Sequence, residues 1–378
     1  VSPNVDTLYG ATYVLLDRHG PVVLSVPPIP DRYWSVAFLD AWFDNFSIVG
    51  SSTFGGDGAN VLITPPGWAG EVPADISAVV AAPTPAVCMV QRIYARDRQE
   101  YPVLHDLQDR IVVAPLSSWT RGERAFPAID LSDLDLHDVR ATSDPLRFFE
   151  LTGAYQATNR PPDRDAALVE LFASVGLGPD GDMPESPTVR RAIVEGAADA
   201  QGALDATLSS QPTAGGWRLP DPHAGRASGG SILSRAATQL TQMGLLPLDE
   251  AVYFFAYADA SGAALRGDRP VELRFAPGEL PPCRSLGFWS LTMYDDRSLL
   301  VDNEIDRYLI RPDTPGLVAN SDGGLTLHLG HRRPNRQSGG NWLPAPDGPF
   351  TVALRVYLAE PEVLDGRWVP PPLHPATE

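Results

Sequence analysis

The sequence predicts an α+β protein, with two antiparallel β-sandwich or jelly-roll-like domains joined by a helical segment. Three observations carry the prediction. Residues 1–115 and 246–378 consist of short β-branched and aromatic runs punctuated by glycine and proline. Residues 116–245, between them, combine an acidic linker with apolar side chains at helical spacing. The chain has 378 residues, 43% hydrophobic and 8% aromatic, enough for two or three domains with cores of their own and too apolar for a disordered chain.

Residues 11–16, 21–26 and 33–39 read as strands, bounded by Asp17-Arg-His-Gly20 and by the proline cluster Pro27-Pro-Ile-Pro30. Residues 45–49, 60–64 and 87–94 continue the series, and 101–110 reads as a short helix. Strands at this spacing indicate a sandwich or barrel. Ser143-Asp-Pro145 is a helix start, with Ser143 as N-cap and proline in the first turn, and Phe148, Leu151 and Tyr155 follow at helical spacing. Residues 163–175 repeat the pattern and end at Gly176. Residues 187–209 place Val189, Ile193, Ala197, Ala200, Leu204 and Leu208 on one stripe of an amphipathic helix. Residues 209–231, rich in Ser, Gly and Pro, read as a loop. Strands return at 253–257, 271–275, 288–294, 307–310, 325–329 and 350–357, separated by turns such as Asp259-Ala-Ser-Gly262 and Ser321-Asp-Gly-Gly324.

Composition excludes several chemistries. All 29 basic residues are arginine, because the chain contains no lysine. Schiff-base aldolases, pyridoxal-phosphate enzymes, P-loop NTPases and kinases each need a lysine and are ruled out. A net charge of −18 opposes binding to nucleic acid, and the arginines form no basic stripe. No apolar run approaches the ~20 residues of a membrane-spanning helix, and no charged segment leading into an apolar stretch marks a secretory leader at Val1. Cys88 and Cys283 are too few for a structural zinc site and read as buried thiols, with one disulfide as the alternative. Gly176-Leu-Gly178-Pro-Asp-Gly181 matches a dinucleotide-binding pattern in letters only, since it follows a helix rather than a strand, and reads as a cap and turn. No G-x-S-x-G occurs. His328 and His331, three apart on a strand entering a turn, need not share a face. The run Asp130, Asp133, Asp135, His137, Asp138 lacks the glycine-punctuated spacing of a calcium loop and reads as a solvated linker. Neither a metal nor a cofactor is expected.

Two sets of motifs resemble known families. Pro3-Asn-Val-Asp-Thr-Leu-Tyr9, Gly20-Pro-Val-Val-Leu-Ser-Val-Pro27, Arg32-Tyr33, Leu39-Asp-Ala-Trp42, Gly67-Trp68 and Arg92-Ile93 resemble the N-terminal domain family DUF1254. Phe288-Trp-Ser-Leu-Thr-Met-Tyr-Asp295, Val301-Asp-Asn303, Arg307-Tyr308, His331, Asn341-Trp-Leu-Pro-Ala-Pro346 and Leu364-Asp-Gly366 resemble its usual companion, DUF1214. The resemblance covers most of the chain. It implies paired jelly-roll-type β domains with helices between them, and no reaction. Family members usually carry further, largely helical sequence before the first of these motifs.

Two constellations have the residue types for chemistry. The first is Asn4, Asp6, Tyr9, Tyr33, Asp40, Trp42 and Arg92. Two carboxylates, Asp6 and Asp40, are what acid/base cleavage of a glycoside needs, with Tyr9 and Asn4 to orient them and Trp42 to line the site. The bland alternative makes Asp6 a turn or cap and Asp40 a partner of Arg32 or Arg92. The second is Tyr294, Asp302, Asn303, Arg307, His331, Asn341 and Trp342, where a histidine beside a carboxylate and a tyrosine suffices for proton transfer. Its alternative is a polar network pinning long loops. The function expected is a cofactor-independent hydrolase or lyase with Asp6, Asp40, Tyr9 and His331 as catalytic groups. Asn4, Tyr33, Trp42, Arg92, Tyr294, Asn341 and Trp342 would bind a carbohydrate-like or other polar small-molecule substrate between the β domains. The alternatives are an isomerase or cyclase for an apolar metabolite, and a non-catalytic ligand-binding or accessory protein. No nucleic-acid or membrane partner is expected.

Overall fold

The computed structural model describes residues 3–126, 144–178, 183–223, 225–226, 231–334 and 339–376. The N-terminal strands are β1 (Thr7–Leu15), β2 (Val22–Val26), β3 (Trp34–Leu39), β4 (Asn45–Gly50), β5 (Ala59–Thr64), β6 (Ala78–Ala81), β7 (Ala86–Tyr94) and β8 (Val112–Pro115). They form two four-stranded sheets, ordered β1-β7-β3-β4 and β6-β5-β2-β8. After a two-stranded hairpin, β9 (Thr213–Ala214) and β10 (Trp217–Arg218), come β11 (Ala251–Ala256), β12 (Val271–Phe275), β13 (Cys283–Asp295), β14 (Leu309–Ile310), β15 (Leu325–Gly330), β16 (Trp342–Pro344), β17 (Phe350–Ala359) and β18 (Leu373–Pro375). These give the sheets β14-β13-β17-β11-β10-β9 and β16-β15-β12-β18.

The two halves have one topology. Adding ten to each N-terminal strand number reproduces the C-terminal orders, and the hairpin β9–β10 extends one sheet beyond them. Pairing is antiparallel except at β5–β6 and β15–β16, which are parallel and occupy equivalent edges. The α+β architecture with two sandwiches is therefore present, and each sandwich carries one parallel edge pair that the alternation of the sequence does not reveal.

Period-two alternation explains how the halves stack. In β3, Trp34, Val36 and Phe38 face their own core together with Val22, Leu24 and Val26 of β2. In β17, Val352, Leu354 and Val356 do the same in the C-terminal core. The opposite faces are covered as well: Tyr33, Ala37 and Tyr94 pack on Ala251, Phe288 and Tyr357. Sheet β1-β7-β3-β4 thus lies against sheet β13-β17-β11, and strands such as β3 are buried along their whole length. This is why they read as continuous apolar runs rather than half-polar ones.

Helices α1 (Tyr101–Asp109), α2 (Pro145–Thr158), α3 (Ala166–Ser174), α4 (Pro187–Ser209) and α5 (Ile232–Gln242) complete the chain, together with shorter turns. Helix α2 is capped by Asp144, whose side chain accepts from the Leu146 N–H; the expected cap, Ser143, lies outside the described residues. So do the acidic run at 130–138 and Pro179–Gly181 of the glycine-rich motif. Gly176 ends α3 with φ +81°, as a cap should. The stripe of α4 is only half-buried, apart from exposed Ala200. The segment 209–231, expected as a loop, holds β9 and β10. Ser231 at its end caps α5, an unforeseen helix, by accepting from the Ser234 N–H. Cys88 is buried, Cys283 half-buried, and both are free thiols.

Candidate functional site

The stacked faces carry a repeated polar row. In the N-terminal sheet, Tyr9 of β1, Arg92 of β7 and Ser35 of β3 lie opposite one another across the strands. In the C-terminal sheet, Tyr253 of β11, Arg355 of β17 and Ser290 of β13 occupy the same positions. The acid three residues before each tyrosine, Asp6 or Glu250, uses its backbone carbonyl in the same way, accepting from Ala95 and Leu358 respectively, each at 2.9 Å. Each side chain then bonds across to the other half: Ser290 Oγ donates to Asp6 at 2.8 Å, and Tyr33 OH donates to Glu250 at 2.7 Å.

Between the sheets, beside the end of α5, lies a cavity of about 470 Å³. Its polar lining includes Asn4, Tyr9, Arg92, Arg218, Tyr253 and Arg355, with Thr241, Gln242, Tyr257 and Ser298 also on the wall. The two central arginines differ in one respect. Arg355, 3% exposed, donates to Thr292 Oγ1 at 2.8 Å and to Tyr294 OH at 2.6 Å, and Tyr294 OH in turn donates to the Pro3 carbonyl at 2.5 Å. At the matching positions beside Arg92 stand Ala37 and Leu39, which offer no acceptor. Arg92, 5% exposed, donates to the Gly244 carbonyl at 3.3 Å and interacts with the Tyr9 hydroxyl, and its Nε and Nη1 have no hydrogen-bond partner among the described residues. Its guanidinium lies 5.0 Å from the centroid of the Tyr9 ring. Among the described residues no carboxylate pairs with it. A buried guanidinium with donors to spare is costly unless an anion completes it.

Tyr9 is 47% exposed, with its ring open to the cavity, and Asn4 Nδ2 donates to its hydroxyl at 2.9 Å. Burial raises its phenol, but Arg92, Arg355 and the Asn4 bond outweigh that and hold it below the ordinary phenol range. For Tyr253 burial wins, and its phenol is pushed up to about 12.

The expected carboxylate pair does not form. Asp6 opens β1 beside Ala95, and Asp40 closes β3 next to the Leu39–Cys88 pair at the other end of β7. That separates them by roughly 25 Å of strand. Asp40 is a turn residue: its Oδ1 accepts from the N–H groups of Trp42 and Asp44 at 2.8 and 3.0 Å. The same turn recurs at Asp295, which accepts from Arg297 and Leu299, and the residues Phe43 and Ser298 both have positive φ. Asp6 is 0% exposed and is absent from the cavity wall.

Other expected site residues serve packing. Tyr33 is fully buried. Trp42 lines a separate hollow of about 220 Å³, edge-on to Tyr155 and donating to the Arg160 carbonyl. His331 Nδ1 sits 3.2 Å from the Ala345 carbonyl on an outer loop. Asn341 donates to the Val318 and Thr326 carbonyls, and Trp342 to that of Gly330. Asn303 and Arg307 likewise anchor loops. His328 pairs with Glu272 at 3.1 Å, and no group of metal-ligating side chains occurs among the described residues. Asn4, Tyr9 and Arg92 are the expected residues that meet at the cavity, with Tyr294 behind Arg355. Missed were Arg355, Tyr253 and Arg218. Two signals pointed to them: an arginine inside the apolar run Val352-Ala-Leu-Arg-Val-Tyr357, and the repeat of Tyr33-Trp-Ser-Val-Ala-Phe-Leu-Asp40 as Phe288-Trp-Ser-Leu-Thr-Met-Tyr-Asp295.

Burial pushes the Asp6 carboxyl above its usual 3.8, outweighing Arg355 and Ser290. A carboxyl raised in the folded state contributes stability that is complete below its unfolded pKa and lost as pH rises through the folded one. Asp6→Asn keeps an acceptor for Ser290 and removes the titration. Its melting temperature relative to the parent is expected to climb with pH across that window, followed by calorimetry; a gap that shrinks toward neutral pH would contradict the assignment.

Residues 1–115 match the family model described as protein of unknown function (DUF1254), and residues 250–361 the one described as protein of unknown function (DUF1214). The chain belongs to this two-domain family. Each family model thus falls on one sandwich of the DUF1254/DUF1214 protein, although the two sandwiches share one topology. The VPA0106 protein from Vibrio parahaemolyticus, a crystal structure, is similar over 99% of this chain and 90% of its own, with 23% identity and a TM-score of 0.75. That likeness is one of fold. An uncharacterized protein from Burkholderia cenocepacia is similar at 14% identity and a TM-score of 0.49, over 100% of this chain and 77% of that one. No curated protein matches the chain.

Proposed function

We propose that this DUF1254/DUF1214 protein binds a small organic anion in the cavity between its sandwiches, with Arg92 as the anchor. The observation that carries this is the buried guanidinium whose Nε and Nη1 lack partners where the duplicated half supplies Thr292 and Tyr294 to its arginine. A carboxylate or phosphate lodged against this guanidinium would be held by a charge-assisted bond. Arg218 and Arg355 add positive charge to the same wall, and no carboxylate among the described residues lines it. Titration calorimetry with acetate and inorganic phosphate tests the proposal; absence of heat with both, and with larger organic anions, would overturn it.

A second reading, a lyase or isomerase acting on the bound anion, rests on Tyr9. Tyr9 lines the cavity, and its phenol is held low by Arg92 against the effect of burial, as a proton-transferring group requires. In an ultraviolet absorbance titration, Tyr9→Phe is expected to remove the lowest-pH phenol transition. If that transition persists in the variant, another tyrosine is responsible and this reading fails.

A further inference from the structure

The cavity is most buried at its two central arginines and most exposed at large apolar side chains, with Thr241, Gln242, Ser298 and Arg218, whose guanidinium lies 4.7 Å from the Tyr257 ring centroid, lining it as well. At the floor, Arg92 and Arg355 are 5% and 3% exposed. At the mouth stand Leu240 of α5 and Met243 just after it, 53% and 58% exposed, with Tyr257 opposite. Leu208 of α4, Leu245 and Phe255 line the wall between. Large apolar side chains left in water around a cleft mark a surface that an apolar group covers. Helix α5 helps to form both zones: Leu240 lies at its exposed C-terminal end, and Gly244, just beyond it, supplies the carbonyl that Arg92 Nη2 reaches. The segment is pinned from behind by Asn45 Nδ2, which donates to the Leu245 and Gly225 carbonyls at 2.6 and 3.0 Å.

We infer that the ligand is an amphiphile: a carboxylate seated on Arg92 at the floor, with an unbranched alkyl chain running out past Leu245 and Phe255 to Leu240 and Met243. This rests on the anion-binding reading above and adds the class of molecule. A polar, sugar-like ligand would leave the mouth uncovered. A short anion would fill only the floor of a 470 Å³ space, which is within the range of cavities that enclose drug-sized ligands.

The test is titration calorimetry of the full chain with acetate, octanoate and dodecanoate, each below its micellar concentration, and with inorganic phosphate. Burial of each methylene should tighten binding by up to about fourfold, so octanoate should exceed acetate, and dodecanoate octanoate. The double variant Leu240→Asn, Met243→Gln changes two exposed positions without adding charge; it should weaken dodecanoate at least tenfold and acetate far less. Equal affinity for acetate and dodecanoate would overturn the alkyl chain while leaving the anion site standing. Phosphate binding without any carboxylate binding would overturn the carboxylate head in the same way. Dodecanoate bound equally well by Arg92→Met would place it elsewhere and overturn the inference. No heat from any of the four would overturn both the inference and the reading beneath it.

Discussion

Replacing Arg92 by methionine is expected to abolish anion binding while raising the melting temperature. The guanidinium is taken out of water and meets one carbonyl and the Tyr9 side chain, with no hydrogen-bond partner for Nε or Nη1, so it has fewer bonds than Arg355 to offset its desolvation. Methionine fills similar space without charge, and apolar replacements of buried charges are often neutral or stabilising by about 1–4 kcal/mol. For domains of this size each kcal/mol moves the melting temperature by roughly 2–4 °C. Arg355→Met is the contrast: it strips Thr292 and Tyr294 of their donor and leaves Asp6 without its nearby positive charge, and should destabilise. Scanning calorimetry and anion titration on both variants separate the two roles. An Arg92→Met protein that melts lower than its parent would mean that Arg92 is structural, as Arg355 is.

The largest loss of stability is expected from Phe288→Ala. Phe288 stacks on Tyr357 with ring centroids 4.4 Å apart and planes 13° apart, and it lies 4.2 Å from Tyr94 and 5.9 Å from Tyr33 of the other sandwich. Truncating a buried phenylalanine costs about 3–5 kcal/mol. Here the void would open in the seam between sandwiches, so denaturant unfolding should lose that amount and split into two transitions. A loss under 1 kcal/mol with one unchanged transition would show that the seam does not couple the halves.

Much of the fold was legible in sequence because strands with one dominant alternation, such as residues 271–275, announce themselves. The long helix at Pro187–Ser209 was found to the residue, since its apolar spacing runs for several turns. Short elements were lost: β9 and β10 are two residues each, too brief for any period to show. Helix α5 was lost for a different reason, lying directly behind a Ser- and Gly-rich stretch whose last residue, Ser231, is its cap. The site was half legible. Asn4, Tyr9 and Arg92 stood out because they lie in the motifs Pro3-Asn-Val-Asp-Thr-Leu-Tyr9 and Arg92-Ile93. The pairing of Asp6 with Asp40 failed because residue type alone does not say which end of a strand a carboxylate occupies, and β7 holds the two at opposite ends. Arg355 was overlooked although its strand breaks the apolar pattern as the strand of Arg92 does. Comparing the two halves with each other, rather than each with a template of known chemistry, would have found it.

The line-up of Asn4, Tyr9, Arg92, Tyr253 and Arg355 also sets the order of events at the ribosome. The N-terminal sandwich can close its own core once β8 has emerged, but its exposed sheet face, with Tyr33 and Tyr94, stays uncovered until β11, β13 and β17 are made. Contacts such as Pro3 with Tyr294 and Asp6 with Ser290 span 291 and 284 residues, the slow kind to close. A nascent chain therefore passes most of its synthesis with one sticky aromatic sheet in water, a window in which aggregation competes with folding. The cavity wall itself is complete only once β17, which carries Arg355, has docked.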